Sequence, residues 1–110
     1  MKLENNIYIG RKYNCKANEL CNWIVKPTLF RQWFKDENPI LNIFFEVNSN
    51  GEFSIELEKE NSLVKILIKN YDEKSATFSL VEKFKIPDEN IKEKSKKWHQ
   101  MLLKLEELIF

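Results

Sequence analysis

Near the end of the chain, apolar residues recur at steps of three and four. They are Trp98, Met101, Leu102, Leu105, Leu108 and Ile109. This spacing places them on one face of a helix, with lysines and glutamates on the opposite face. The pattern predicts a long amphipathic helix within residues 88–110, about 30 Å in length. Such a helix needs a broad apolar surface to pack against.

Five earlier segments alternate apolar and polar residues with a period of two, which is typical of strands with one buried face. The first contains Ile7, Ile9 and Tyr13, and Arg11 is a polar exception on its apolar side. The other four cover residues 41–47, 52–58, 63–69 and 76–86. Short turns separate these four, including an Asn-Gly turn at 48–51, so we expect an antiparallel meander.

Two short helices are predicted between the first and second strands. Asn18 is the expected N-cap of a helix that runs to about Val25. Pro27 ends that helix and opens a second one, which runs through Phe34. The predicted fold class is therefore α+β of the helix-grip type. In it, a curved antiparallel sheet of about five to six strands wraps around the long C-terminal helix.

Composition narrows the class of protein. The 110 residues suit one domain, residues 1–110. Eighteen basic and 17 acidic residues are mixed along the chain and leave a net charge of +1, which argues against a nucleic-acid partner. We see no signal peptide and no apolar run of membrane-spanning length. With only two cysteines, Cys15 and Cys21, the sequence predicts a cytoplasmic protein with free thiols.

Two segments near the ends of the chain resemble known helix-grip proteins. Residues 17–21, followed by Phe30-Arg31-Gln32-Trp33-Phe34, resemble the opening of START-like domains of the SRPBCC superfamily. Residues 86–89 and 98–102 are similar to the close of the branch that contains the activator of the heat-shock protein 90 ATPase. The chain departs from that branch at Lys97, where glycine is usual, and in having no Gly-Gly turn. The resemblance implies hydrophobic ligand binding, catalysis in a few branches, or chaperone binding.

The candidate ligand site is the space between the concave face of the sheet and the C-terminal helix. Its predicted lining comprises inward strand positions, one helix face and two aromatic residues of the short helices. These residues are Phe30, Phe34, Ile43, Phe45, Phe53, Ile55, Leu57, Phe78, Leu80, Glu82, Trp98, Met101, Leu102 and Leu105. Glu82 has two open interpretations. Strict alternation points it inward as a polar group of the cavity, whereas a β-bulge or a fraying sheet edge would turn it to solvent.

We recognise no catalytic or metal-binding constellation. His99 is the only histidine, so no His-His metal site can form. Gly10 and Gly51 are too far apart in the chain to build a phosphate loop. The lysines at 92, 94, 96 and 97 occur together with Glu89 and Glu93, and this mixture of charges predicts a solvated helix face rather than an anion site. We therefore expect no metal and no cofactor.

Three functions remain after these exclusions. The first is a non-enzymatic domain that binds a small hydrophobic ligand between sheet and helix. The alternative is a protein-interaction module, such as a regulator of the heat-shock protein 90 ATPase, because the short sheet region leaves less room for a ligand. The third is a cyclase- or hydrolase-type enzyme with Glu82 or His99 as acid or base, for which no second catalytic residue is apparent. We expect a monomer or a weak homodimer.

Overall fold

A computed structural model describes residues 6–36, 39–85 and 90–109. Its elements in chain order are β1 (Asn6–Tyr13), α1 (Ala17–Val25), α2 (Pro27–Trp33), β2 (Asn42–Val47), β3 (Phe53–Glu58), β4 (Ser62–Asn70), β5 (Ala76–Phe84) and α3 (Ile91–Ile109). The predicted order of elements is confirmed. The predicted end of the last strand and the first residues of the long helix, 86–89, lie outside the described ranges.

The five strands form one antiparallel sheet in the order β1-β5-β4-β3-β2. Leu80 at the centre of β5 pairs with Ile9 on β1 and with Ile66 on β4, and Ile66 in turn pairs with Ile55 on β3. Inward-facing residues of four strands therefore lie in continuous rows across the sheet. With the long α3, this confirms the predicted α+β helix-grip fold.

The apolar stripe of α3 is buried against the rest of the molecule. Trp98, Met101, Leu102 and Leu105 are its buried residues, as the helical spacing predicted. The Tyr13 hydroxyl on β1 donates to the Leu102 carbonyl at 3.1 Å, which ties the first strand to the middle of α3. No helix in the described ranges has the length and apolar character that a membrane span requires.

The start of α1 differs from the prediction. The helix begins at Ala17, its N-cap is Lys16 without a side-chain hydrogen bond, and Asn18 lies exposed inside the first turn. The Ala17 N–H donates instead to the Asn70 side-chain oxygen at 2.9 Å. An amide from β4 therefore satisfies one of the free donors of the helix, which is the task expected of a local cap. The prediction for Pro27 is confirmed, since Pro27 opens α2.

Arg11, the polar exception on β1, pairs with the C-terminal helix. Its Nη2 lies 2.7 Å from Glu106 Oε2, with both side chains partly exposed. Its guanidinium also lies 5.8 Å from the centre of the Tyr13 ring. The polar residue in an apolar phase is thus explained by an ion pair between β1 and α3.

Candidate functional site

A groove of about 620 Å³ lies beside the first half of α3. Its floor contains three ionisable side chains, Asp36, Lys59 and Glu82, which come from different parts of the chain. The remaining lining residues lie on or just before α3: Asn90, Glu93, Lys94, Lys96, Lys97, Trp98, Gln100 and Met101. The groove therefore combines a polar floor with a largely basic rim.

Glu82 is the centre of the floor. The side chain is 1% exposed, and both of its oxygens are hydrogen-bonded. Oε1 accepts from Trp98 Nε1 at 2.8 Å, while Oε2 accepts from Ser62 Oγ at 2.6 Å and from Lys59 Nζ at 2.9 Å. Strand pairing continues without interruption through this position, so the inward interpretation of Glu82 is correct. With three donors, Glu82 serves as an acceptor rather than as an isolated carboxyl group.

Lys59 connects Glu82 to a second acid. Its Nζ donates to Asp36 Oδ2 at 2.7 Å as well as to Glu82, and the residue is 5% exposed. Burial by itself lowers the pKa of Lys59, but the hydrogen bonds that Lys59 donates to Asp36 and Glu82 outweigh this effect and leave the pKa raised. A buried and a largely buried carboxyl group thus share one ammonium group.

The local structure of the chain holds this network in place. Lys59 follows β3 directly, and its N–H donates to the Ser62 carbonyl at 2.9 Å across a tight turn. Ser62 is the first residue of β4, so the same turn brings both Lys59 and the Ser62 hydroxyl to Glu82. Asp36 follows α2, and its carboxylate lies 2.7 Å from the same ammonium group. Each partner therefore lies on or close to a regular element, which helps to position the network.

Trp98 joins the network to the apolar core. Its indole N–H is bonded to Glu82, and its ring lies 5.6 Å from the ring of Phe34. Phe34 stacks in turn on Phe30 at 4.5 Å. The end of α2 therefore packs against α3 through aromatic rings, and these rings border the polar floor.

Four lysines lie in the first two turns of α3, and they divide into two groups. Lys92 and Lys96 are exposed, whereas Lys94 and Lys97 are partly buried. The Lys94 ammonium lies 4.8 Å from the centre of the Phe84 ring. Three of these four lysines line the groove, so this helix face is both solvated and part of the site.

The predicted lining residues occupy four environments. Glu82, Trp98 and Met101 line the groove. Most of the others lie in the packed core, namely Phe30, Ile55, Leu57, Phe78, Leu80, Leu102 and Leu105. Phe34 and Phe53 pack against that core and are partly buried. Ile43 and Phe45 lie on β2 with 45% and 46% exposure. A ligand between the sheet and the centre of α3 would have to displace side chains that are in contact.

Sequence reasoning did not identify Asp36, Lys59 and Ser62 as site residues. All three lie in polar segments between elements or at a strand start, where exposure is the usual outcome. The one available signal was Glu82, because a carboxyl group in an inward phase requires donors nearby.

The cysteines and the histidine lie outside the groove lining. Cys15 and Cys21 are free and buried, and burial raises the pKa of each thiol to about 11. Such thiols are protonated at neutral pH and are poor nucleophiles. His99 is exposed on α3. Among the described residues, no group of three or more His, Cys, Asp or Glu is arranged to hold a metal ion.

Comparison of the sequence with known families and with curated proteins gives no match. Comparison of the structure does give matches, of which three are representative. CalU16 from Micromonospora echinospora superposes with a TM-score of 0.67 at 17% identity, over 94% of this chain and 73% of CalU16. DynU16, a protein of the dynemicin biosynthetic locus, gives 0.70 at 10% identity, over 96% of this chain and 47% of DynU16.

The third match is the Aha1 dimer from Colwellia psychrerythraea. It superposes with a TM-score of 0.66 at 8% identity, over 92% of both chains. At these identities the likeness shows the fold. The three neighbours thus share the fold of this chain, and this chain spans less than half the length of DynU16.

Proposed function

We propose that this chain is a non-enzymatic ligand-binding domain, and that its ligand lies in the groove beside Trp98. The observation that most supports this is the Asp36–Lys59–Glu82 network at the groove floor. Burying charged groups is costly, and such groups concentrate at functional sites. The groove volume of about 620 Å³ lies within the usual range for small-molecule sites.

The floor offers a polar anchor for the ligand. A lysine ammonium has three N–H donors, and Asp36 and Glu82 engage two of those of Lys59. The third is our candidate donor to a ligand oxygen. Lys94 and Lys97 on the rim add positive charge above it. We therefore expect a ligand whose polar end carries an oxygen acceptor, and a carboxylate should bind better than an alcohol or an amine.

The ligand's apolar part would lie against Trp98 and Met101. Methionine is flexible and polarisable, so this part of the lining can adapt to several shapes. Selectivity for the apolar part should accordingly be modest, and selectivity for the polar end should be stronger. This modifies the mainly apolar site between sheet and helix that the sequence suggested, in which Glu82 was the single polar candidate.

Calorimetric titration with decanoate, decanol and decylamine tests the proposal, because these compounds share one chain and differ in the polar end. We expect saturable binding of decanoate and weaker binding of the other two. Lys97→Glu should weaken decanoate binding about tenfold. Lys92→Glu is the matched control, since it makes the same charge change on the same helix at a residue outside the groove lining.

Equal affinity for all three compounds would contradict the anchoring role of the lysines. Absence of binding by any of them at millimolar concentration would contradict the ligand-binding function itself. Equal effects of Lys97→Glu and Lys92→Glu would show that only the general charge of α3 matters.

A second candidate is a protein-interaction module, such as a regulator of the heat-shock protein 90 ATPase. The observation that favours it is the apolar surface of β2, where Phe44 is 53% exposed and Val47 is 52% exposed. The similarity to a protein described as the Aha1 dimer adds support for assembly with another chain. Pull-down with the purified chaperone and an ATPase assay would test it, and no change in ATPase rate at saturating protein would count against it.

A further inference from the structure

Strand β2 presents apolar side chains on both faces of the sheet at an open edge. Every residue of the strand is exposed, and it has β3 on one side as its neighbour among the described strands. Leu41, Ile43, Phe44, Phe45 and Val47 are 54%, 45%, 53%, 46% and 52% exposed. An edge strand of this kind is a template for pairing with another strand, and Glu46 is the single charged residue within it.

The outer side of β2 also has backbone groups available for pairing. Beside the hairpin, the Asn48 N–H donates to the Glu52 carbonyl at 3.0 Å. The direction of the backbone N–H and C=O groups alternates from residue to residue along an antiparallel strand. Phe44 and Glu46, four and two positions from Asn48, therefore also direct these groups toward β3. The N–H and C=O groups of Ile43 and Phe45 therefore point away from β3. These groups lie on the residues whose side chains face the concave side.

We propose that a second copy of this chain pairs with β2 in antiparallel fashion, making one continuous sheet of ten strands. A two-fold axis that relates antiparallel strands stands perpendicular to the sheet, so the concave faces of both copies lie on the same side. Opposed residues must then share a face. If the axis passes between Phe44 and the partner's Phe44, Ile43 lies opposite the partner's Phe45. Each such Ile43–Phe45 pair then exchanges two backbone hydrogen bonds.

The position of Glu46 selects this register. With the axis at Phe44, Glu46 lies opposite the partner's Asn42, whose amide can donate to the carboxylate. With the axis at Phe45, Glu46 would lie opposite the partner's Phe44. With the axis at Glu46, two carboxylates would oppose each other, which is unfavourable. Of these three registers, only the first places an acceptor opposite a donor and apolar residues opposite apolar residues.

The available area fits a weak dimer. Two half-exposed phenylalanines and three half-exposed aliphatic side chains leave roughly 400 Å² of apolar surface per copy, since one buried aromatic side chain covers about 150–250 Å². With the backbone, two copies would bury about 1,000 Å² in total, near the lower limit for specific interfaces. We therefore expect association in the micromolar range or weaker, which is populated in concentrated solution.

Sedimentation equilibrium of the wild-type protein tests the proposal. The mass should double with increasing concentration. Phe45→Lys and Val47→Lys should each weaken dimerisation at least tenfold, and two variants guard against a folding defect in either one. The matched control is Tyr8→Lys on β1 at the other sheet edge, because Tyr8 is 68% exposed. The control should dimerise like the wild type.

Amide hydrogen exchange identifies the edge that pairs. The Phe45 amide should become at least tenfold more protected when the protein is concentrated, while the Phe44 amide, already bonded to β3, should change little. A protein that stays monomeric to about 1 mM would overturn the proposal and leave the edge to a different partner. Doubling of mass without protection of Phe45, or loss of the dimer in Tyr8→Lys alone, would also overturn it.

Discussion

Replacing Lys59 with methionine tests the energetic role of the buried network. The change keeps a side chain of similar length and removes the cation that Glu82 and Asp36 share at 2.9 and 2.7 Å. Both acids are largely buried, with 1% and 11% of their side chains exposed. Breaking a buried ion pair by removing one partner costs about 3–5 kcal/mol. A domain of this kind is stable by about 5–15 kcal/mol in total, so the loss would be large.

Urea denaturation followed by tryptophan fluorescence measures the loss. At a slope of about 2 kcal/mol/M, the midpoint should fall by about 2 M. Lys65→Met is the matched control, because Lys65 forms a 3.9 Å ion pair with Glu56 in which the side chains are 49% and 41% exposed. That substitution should change stability by less than about 0.5 kcal/mol.

A midpoint for Lys59→Met equal to that of Lys65→Met would refute the reasoning. It would mean that water or rearranged side chains replace the ammonium at no cost. The double variant Lys59→Met with Glu82→Met provides a further check. It should recover part of the loss, since an apolar replacement of a buried pair is often tolerated.

The remaining predictions concern pH, packing and the thiols. The pKa of Lys59 is raised on folding, so the ammonium group should stabilise the fold fully below about pH 10.5 and lose this effect as pH rises through the raised pKa. The urea midpoints of the wild type and of Lys59→Met should therefore approach each other as pH rises through that range. Trp98→Ala should lower the free energy of unfolding, measured by urea denaturation, by about 3–5 kcal/mol. Truncation after Lys97 should abolish cooperative unfolding. Thiol titration without reductant should find both Cys15 and Cys21 in urea. In the folded protein both should react slowly at neutral pH, because burial raises the pKa of each to about 11.

Most of the fold could be predicted from the sequence because local patterns encode it. The strands carry strict alternation and the turns between them are short, so neighbouring strands had to pair in antiparallel fashion. The stripe that contains Trp98 and Leu105 specified both α3 and its buried face. The cap of α1 was missed because its partner, Asn70, is 53 positions away and enters only through tertiary structure.

The predicted site was less complete. Periodicity indicated that Ile43 and Phe45 face the concave side, and they do share a face with Leu57 and Ile55. Periodicity does not say how far the helices extend across that face. Here α3 packs on β1, and α1 packs on β3, β4 and β5, while β2 stays exposed. Burial at a sheet edge is thus decided by the placement of helices, which local sequence does not encode.

Lys59 is a polar residue whose burial, likewise, could not be predicted from the local sequence. It lies among Glu58, Glu60 and Asn61, and such a polar turn is usually exposed. The turn places its ammonium group between Asp36 and Glu82, so the residue is 5% exposed. The only sign of a buried donor in the sequence was that Glu82 occupies an inward-facing position of its strand.

The indole N–H resonance of Trp98 gives the most direct test of ligand binding in the groove. Trp98 donates to Glu82 at 2.8 Å at the groove floor, so a ligand that reaches the network should alter this resonance. The indole of Trp33, which donates to the Trp23 carbonyl at 2.8 Å, is the internal reference. We predict that titration with decanoate shifts the Trp98 signal saturably and leaves the Trp33 signal nearly unchanged. No shift of Trp98 at millimolar decanoate, or equal shifts of both indoles, would contradict the account.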